Sequence, residues 1–229
     1  MYRKGIVWLY LFLIAALADI AMIVHSEPYY RILTKPLIVA ALLAYFLHST
    51  QLIKGSLLRI SVSAALFFSI AGDVLLLYQN LFLYGLGAFF MTHICYIVAF
   101  KLTQNHTFNP FKVNFIKMFF YNLPIYILAA FVYFLIQKQL LELKIPVVIY
   151  LLAMVMMVTL ARERFARTHP ASFWQVFIGA SLFFVSNGLQ AMDKFFYPIP
   201  DGKILIMGTY VLAQLLIIMG IRSHLLHIK

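Results

Sequence analysis

Acidic residues are scarce in this 229-residue chain, with seven Asp and Glu against 18 Lys and Arg. Cysteine is scarcer still. Cys95 stands alone inside an apolar run, so no intrachain disulfide forms and the redox compartment is not legible. No polar stretch is long enough for a separate soluble domain. A Gly-rich phosphate loop, a Gly-x-Ser-x-Gly elbow and a Cys-x-x-Cys pair are all missing, which sets aside the chemistries those motifs carry. Only His93, of seven histidines, lies well inside an apolar run. A metal hydrolase within a membrane wants about three His or carboxylate ligands, so the pattern argues against zinc.

What the chain has is hydrocarbon. It is 64% apolar and 11% charged, with a mean hydropathy of +0.94. Soluble domains are about 45–50% apolar and about 25% charged, so this is an integral membrane protein. Eight runs approach the ~20 residues that cross a ~30 Å hydrocarbon core. They lie at 5–24, 32–50, 58–78, 81–101, 114–136, 144–161, 172–196 and 203–222. The first follows Met1-Tyr-Arg-Lys4 and contains Ala16-Leu-Ala18, as a secretory leader would, yet stays apolar through Val24 and counts as a helix. The expected fold is all-α, one transmembrane domain over 1–229 built as an eight-helix bundle.

A formal charge of +11 invites a nucleic-acid partner. The basic residues instead sit in short loops between apolar runs, which points to topology and anionic lipid. Arg31, Lys35, Lys138, Lys144, Lys194 and Lys203 fall on one side, and the other twelve Lys and Arg on the opposite side. That asymmetry puts both termini and the Arg162–Arg167 loop in the cytoplasm, as expected of a multi-pass protein of a bacterial inner membrane. A faint repeat runs through the halves. Lys35-Pro-Leu-Ile-Val resembles Lys144-Ile-Pro-Val-Val, Leu66-Phe-Phe-Ser resembles Leu182-Phe-Phe-Val, and Gly87 with His93 is spaced as Gly208 with Gln214. This suggests a parallel four-plus-four duplication.

Polar residues inside the runs carry the functional signal. An aspartate at a membrane-helix centre costs about 2.5–3.5 kcal/mol on insertion scales, so Asp73 should face the protein interior. At 1.5 Å per residue, Asp73 lies about two-thirds of the way across the third helix. Ser186 and Asn187 reach a similar level, and Asp19, Lys35, Tyr150 and Asp193 lie toward the same outer side. His93 and Gln214 sit nearer the midplane. Separate helices thus deliver polar groups to one layer. Each has a plainer reading: Lys35 snorkelling, Tyr150 and Tyr210 as bonded core tyrosines, His93 as a structural hydrogen-bonder, Asp19 as a packing residue. Gly72, Gly85, Gly87, Gly179 and Gly188 read as sites of close helix contact.

Gly72-Asp73-Val-Leu-Leu, followed by Gly85-Leu-Gly-Ala-Phe89-x-x-x-His93-x-x-Tyr96, resembles the lysoplasmalogenase (YhhN-like) membrane proteins. So do Lys35-Pro-Leu37, Pro146-x-x-x-Tyr150 and Tyr210-x-x-x-Gln214-Leu-Leu-Ile. The likeness runs in order over nearly the whole chain. It implies hydrolysis of the vinyl ether bond of a lysoplasmalogen, giving a fatty aldehyde and a glycerophospho-ethanolamine or -choline. The implied partners are a lysophospholipid substrate and membrane lipid, with no cofactor. Such chemistry needs a carboxylic acid to protonate the vinyl ether and a group to orient water. For that implied reaction we assign the acid to Asp73, water orientation to Asn187 and a relay to His93. Lys35 and Tyr150 would hold the phosphate, with Ser186, Tyr210, Gln214 and Asp193 lining the substrate.

One stretch departs from the family. Where it usually reads Ser-Asp-Ser-Leu-Leu-Ala and then Asn-Lys-Phe, this chain has Ser186-Asn187-Gly-Leu-Gln-Ala-Met-Asp193-Lys-Phe195. Asp193 is six residues from Asn187, about 9 Å along a helix and about 120° around it, so it does not substitute in place. Lys194, seven residues on, is nearly in line with Asn187. We expect Asn187 to face Asp73 and Asp193 to anchor the helix end. Two other classes fit the same residues: a proton-coupled transporter and a non-catalytic lipid-binding protein.

The charge asymmetry predicts that a cysteine at position 79 or 80, in a chain with Cys95→Ser, is labelled only from outside the cell. Labelling from the cytoplasmic side alone would reverse the topology.

Overall fold

The computed structural model describes residues 2–53, 55–104 and 115–227. Eight helices fill it: α1 (Tyr2–Val24), α2 (Arg31–Ser49), α3 (Leu57–Leu75), α4 (Phe82–Leu102), α5 (Phe115–Ile136), α6 (Lys144–Arg162), α7 (Pro170–Phe195) and α8 (Gly202–His227). Each carries a span of 18 to 26 residues long and apolar enough to cross a membrane. No strand occurs among the described residues. The all-α expectation holds. The side chains of Arg3, Lys4, Lys54, Lys112, Lys117 and Lys229, used to infer orientation, lie outside the described ones, as do those of His106 and His227.

Boundaries differ from the hydropathy reading where local chemistry intervenes. The third helix ends at Leu75 rather than 78, because the amides of Leu77 and Tyr78 bond to the carbonyls of Val74 and Leu75. These i−3 bonds tighten the chain into a turn that runs into a short 3₁₀ segment, Gln79–Leu81. The seventh helix starts at Pro170, two residues early, since proline lacks the amide that a first-turn position leaves unbonded anyway. The eighth continues past 222 to His227, carried by backbone bonding through polar residues that hydropathy counts as an end.

Polarity is arranged inside out. Leu17, Leu33, Phe134 and Ile145 are strongly exposed, whereas Asp19, Asp73, His93, Arg164 and Gln214 are buried. That is the arrangement a lipid solvent demands, because an ionisable group facing hydrocarbon is expensive and an apolar one is not. Helices α1, α2, α3, α4, α6, α7 and α8 pack in sequence around a ring; α2 also touches α8 across it, and α5 leans on the outside of α6 and α7. The loops α1–α2, α3–α4, α5–α6 and α7–α8 lie at one end, here the 79–81 end; the α2–α3 and α6–α7 loops lie at the 162–167 end.

Shifting every helix number by four maps most of these contacts onto one another. Pairs α1–α2, α2–α3 and α3–α4 become α5–α6, α6–α7 and α7–α8, and α2–α8 becomes α6–α4. The correspondence fails at the margin, where α1 touches α8 but α5 leans on α7 instead of α4. The two tightest crossings occupy equivalent places and use the same device. In α3–α4, a Cβ on Gly72 would lie 2.6 Å from the Phe89 ring, and one on Gly85 would lie 2.6 Å from Leu76 Cδ2. In α7–α8, a Cβ on Gly179 would lie 2.9 Å from the Ala213 carbonyl oxygen, and one on Gly220 would lie 2.6 Å from Val176 Cγ2. Two glycine readings need correction. Gly87 faces open space and Gly188 meets only Val132 at an ordinary 3.6 Å, while Gly220 carries the contact instead.

Overpacking a tight crossing costs about 1–3 kcal/mol. Gly179→Ala and Gly220→Ala should therefore lower the melting temperature of the detergent-solubilised protein, and Gly87→Ala should leave it unchanged. Identical melting of all three would show that the crossings do not limit stability.

Candidate functional site

The polar centre is assembled from residues four apart on helices that meet. Arg31 and Lys35 come from α2, Ser69 and Asp73 from α3, Thr92 and Tyr96 from α4, and Tyr210 and Gln214 from α8. Residues at i and i+4 share a helix face, so each helix presents two polar groups one turn apart. Asp73 is the focus. Its Oδ2 accepts a hydrogen bond from the Tyr210 hydroxyl at 2.8 Å. Its Oδ1 lies 3.4 Å from the Lys35 ammonium and takes no hydrogen bond.

Behind Tyr210 the bonds run in one direction. Tyr96 donates to Gln214 Oε1 at 2.6 Å. Gln214 Nε2 donates to Ser69 Oγ at 3.0 Å and to the Tyr210 hydroxyl at 3.4 Å. Ser69 and Thr92 share a hydroxyl–hydroxyl bond of 3.2 Å, and both reach the Ala65 carbonyl. Donors thus lead from Tyr96 through Gln214 and Tyr210 to the carboxylate. Successive bonds of this kind polarise one another in a low-dielectric interior.

A second charge pair flanks the first on α2. Asp19 is fully buried and receives both Arg31 Nε, at 3.2 Å, and Arg31 Nη2, at 3.1 Å, with the Thr34 hydroxyl at 2.7 Å. Arg31, Thr34 and Lys35 thus place two acids, from α1 and α3, on one side of α2.

Tyr150 and Asn187 form a separate pair. The Tyr150 hydroxyl donates to Asn187 Oδ1 at 2.6 Å, and Asn187 Nδ2 donates to the Phe183 carbonyl at 2.8 Å. His93 is completely buried beside them, its ring 5.1 Å from both Tyr150 and Phe183, and neither ring nitrogen has a partner. A slot of about 670 Å³, counting its open mouth, runs between α4, α5, α6 and α7. Tyr150 and Asn187 lie in its wall, Met154 and Phe184 at its deep end, and Lys194, Phe82 and Phe195 at the 79–81 end. Phe89 lines the slot with one face, packs on Gly72, and meets the Tyr210 ring edge-on at 6.0 Å. It stands between the slot and both Gly72 and Tyr210, the neighbours of Asp73.

The expected residues divide accordingly. Asp73, Lys35, Tyr210 and Gln214 come together. Asn187 and Tyr150 meet each other, but the hydrogen bonds of Asn187 go to Tyr150 and Phe183, and none goes to Asp73. Lys35 does not snorkel away from the bundle; its ammonium is paired with Asp73. The Ser186 hydroxyl donates to the Ile206 carbonyl at 2.7 Å, which ties α7 to α8. Asp193 Oδ1 accepts the Ile199 amide at 2.8 Å and holds the loop after α7. Ser69, Thr92 and Tyr96 belong to the Asp73 network although the sequence did not single them out as site residues. The i, i+4 spacing of Ser69 to Asp73 and of Thr92 to Tyr96 was the available signal.

The 162–167 end holds another unanticipated network. Arg164 is fully buried and donates to Thr103 Oγ1 at 2.8 Å and to the Ser172 hydroxyl, at 2.8 Å, and carbonyl, at 3.3 Å. Ser172 in turn donates to the Gly220 carbonyl at 2.6 Å. Burial lowers the guanidinium pKa to about 10, still charged at neutral pH. Arg164 lies just beyond the C-termini of α4 and α6, whose helix dipoles favour a cation there.

Residues 30–221 match the YhhN family. Lysoplasmalogenase TMEM86B of Homo sapiens is 32% identical over 170 residues, covering 73% of this chain and 62% of that protein. Its counterpart in Mus musculus is 30% identical over 169 residues, covering 71% and 66%. A protein called uncharacterized membrane protein YhhN, of Escherichia coli O157:H7, is 32% identical over 129 residues, 55% of this chain and 57% of that one. The chain therefore spans less than two thirds of the length of these relatives. No solved structure matches.

Leaving a buried polar atom unpaired costs about 1–3 kcal/mol. Tyr96→Phe should therefore lower the melting temperature by depriving Gln214 Oε1 of its donor. Tyr45→Phe, which removes only a 3.7 Å contact to Met219 Sδ, should change it little. Equal shifts would show that the buried chain contributes nothing special.

Proposed function

Because the chain belongs to the YhhN family, we propose that it is a membrane hydrolase that cleaves the vinyl ether bond of lysoplasmalogens. The products are a fatty aldehyde and a glycerophospho-ethanolamine or -choline. The observation that carries this reading is the buried Asp73 carboxyl, with Oδ2 fixed by Tyr210 and Oδ1 free of hydrogen bonds beside Lys35. Relatives named lysoplasmalogenase support the reaction class.

In this mechanism the Lys35 ammonium hands a proton to Asp73 Oδ1, leaving a neutral amine, and Asp73 transfers that proton to the β-carbon of the vinyl ether. The substrate becomes an oxocarbenium ion and Asp73 a carboxylate, whose negative charge stabilises the ion. Water adds to the cationic carbon and returns one proton to Asp73. The resulting hemiacetal collapses to aldehyde and alcohol, so the net reaction consumes one water and no cofactor. Tyr210, held by Gln214 and Tyr96, fixes the carboxyl in one orientation. Asn187 and Tyr150 present their polar groups to the slot, where water reaches the bond, and His93 stands behind Tyr150 as a relay. The Phe89 ring has to turn aside for acid and bond to meet. The same reading puts the termini in the cytoplasm of a bacterial inner membrane.

Detergent-solubilised protein incubated with lysoplasmalogen should release aldehyde; transport would need a sealed compartment. Asp73→Asn should cut aldehyde release at least ~100-fold, the usual scale for a general acid. Asn187→Ala should lose most activity, and Asp193→Asn should keep most of it because its carboxylate serves the loop. Near-normal turnover by folded Asp73→Asn would eliminate the mechanism. A dead Asp193→Asn beside a healthy Asn187→Ala would move the second polar group to Asp193.

A further inference from the structure

We propose that the slot between α4, α5, α6 and α7 seats the single alkyl chain of the lysophospholipid, and that Lys194 at its mouth binds the phosphate. This deepens the hydrolase reading and rests on it for the identity of the lipid.

Lys194 differs from Lys35 in what surrounds it. Lys35 is committed to Asp73 at 3.4 Å, as Arg31 is to Asp19 at 3.1 Å. Lys194 is exposed at the slot mouth, and its Nζ lies 4.4 Å above the Phe82 ring. Phe82 and Phe195 meet edge to face at 5.6 Å and frame the opening. A cation over an aromatic face is held in direction yet keeps its charge available. An ammonium without a carboxylate, at the entrance of an apolar cleft in a membrane protein, is complementary to an anionic head on a hydrocarbon chain.

The length suits one chain. From Phe184 at the deep end to Lys194 at the mouth is ten helical residues, about 15 Å, half of a ~30 Å hydrocarbon core. A chain seated there occupies one leaflet's depth. The wall is apolar apart from Tyr150, Asn187, Gln190 and Lys194, and Tyr150 and Asn187 are hydrogen-bonded to each other. Hydrocarbon therefore meets few unpaired polar groups below the mouth. Asn187 lies seven residues below Lys194, about 10 Å and nearly in line. With the phosphate on Lys194 at the mouth, the chain runs inward past Asn187 and Tyr150, opposite Phe89.

The test uses full-length protein in phosphatidylcholine nanodiscs and two probes that cannot be hydrolysed at a vinyl ether. One is an ester-linked lysophosphatidylethanolamine carrying a mid-chain diazirine, and the other the monoacylglycerol with the same chain. Photolabelling by both should fall on α4, α5, α6 and α7. Lys194→Gln should weaken binding of the phosphate-bearing probe about tenfold, the loss of one charged hydrogen bond. It should leave the monoacylglycerol unchanged, and Lys194→Arg should restore the difference. Ala191→Trp, which fills the slot, should weaken both probes. Equal effects of Lys194→Gln on both probes would overturn the phosphate assignment. Labels confined to other helices, or a second copy of the chain cross-linked through the slot, would overturn the chain assignment. Because neither probe is a substrate, Lys194-dependent binding by a protein that releases no aldehyde would sink the reaction and keep the slot.

Discussion

A carboxylate in the hydrocarbon layer must be neutralised or paired, and the centre of this protein is arranged around that demand at Asp73. Lys35 supplies the charge and Tyr210 a hydrogen bond, from helices far apart in sequence. Removing one member of a buried pair leaves the other uncompensated, at about 3–5 kcal/mol. Positions of α2, α3 and α8 are therefore coupled through one side chain. Gln214, Tyr96, Ser69 and Thr92 extend the coupling to α4, and the glycine contacts hold α3 and α4 close enough for it. The focus at Asp73 is also what makes an acid-catalysed reaction a reasonable use of the bundle.

Much of this was written in the sequence in a form that simple physics reads. Eight runs of membrane length fixed the number of helices, and helix rise alone placed Lys35, Asp73 and Asn187 toward one end. Periodicity also separated Asn187 from Asp193: Asn187 and Lys194 both line the slot, while Asp193 turns to the Ile199 amide. What stayed hidden depended on partners. Depth says that Asn187 and Asp73 share a layer, but the rotation of α7 decides that Tyr150 is the neighbour. Hydroxyls such as those of Ser69 and Thr92 are common in membrane helices, and only the i, i+4 companion marks them. Arg164 belongs to a loop, where charge is ordinarily solvated, and its burial among Thr103, Ser172 and two helix ends is a tertiary fact. Gly87 and Gly220 exchanged roles for the same reason, since a glycine in sequence does not reveal which face meets a neighbour.

The two halves of the bundle repeat each other in packing and differ in content. The α2–α3 pair brings ammonium and carboxylate together, whereas the equivalent α6–α7 pair brings phenol and amide, Tyr150 and Asn187. Phe89 and Phe183 stand between the two centres, their rings 6.2 Å apart. A duplicated frame has thus acquired one ionic and one neutral half, with His93 and its unpartnered nitrogens enclosed near the junction.

The arrangement on α2 bears on how the protein enters the membrane. Arg31 and Lys35 are basic residues on the side that carries few of them, which opposes the usual charge rule for orientation. Both are matched by acids, Arg31 by Asp19 of α1 and Lys35 by Asp73 of α3. Partitioned alone, α2 would present two bare cations and its neighbours two bare carboxylates; inserted together, the three helices carry no net charge at that end. The first three helices therefore form the smallest segment that can leave the translocation machinery electrically balanced. Loss of Asp19, remote from any bond that is broken, would then act on biogenesis, producing molecules whose early helices are threaded the wrong way.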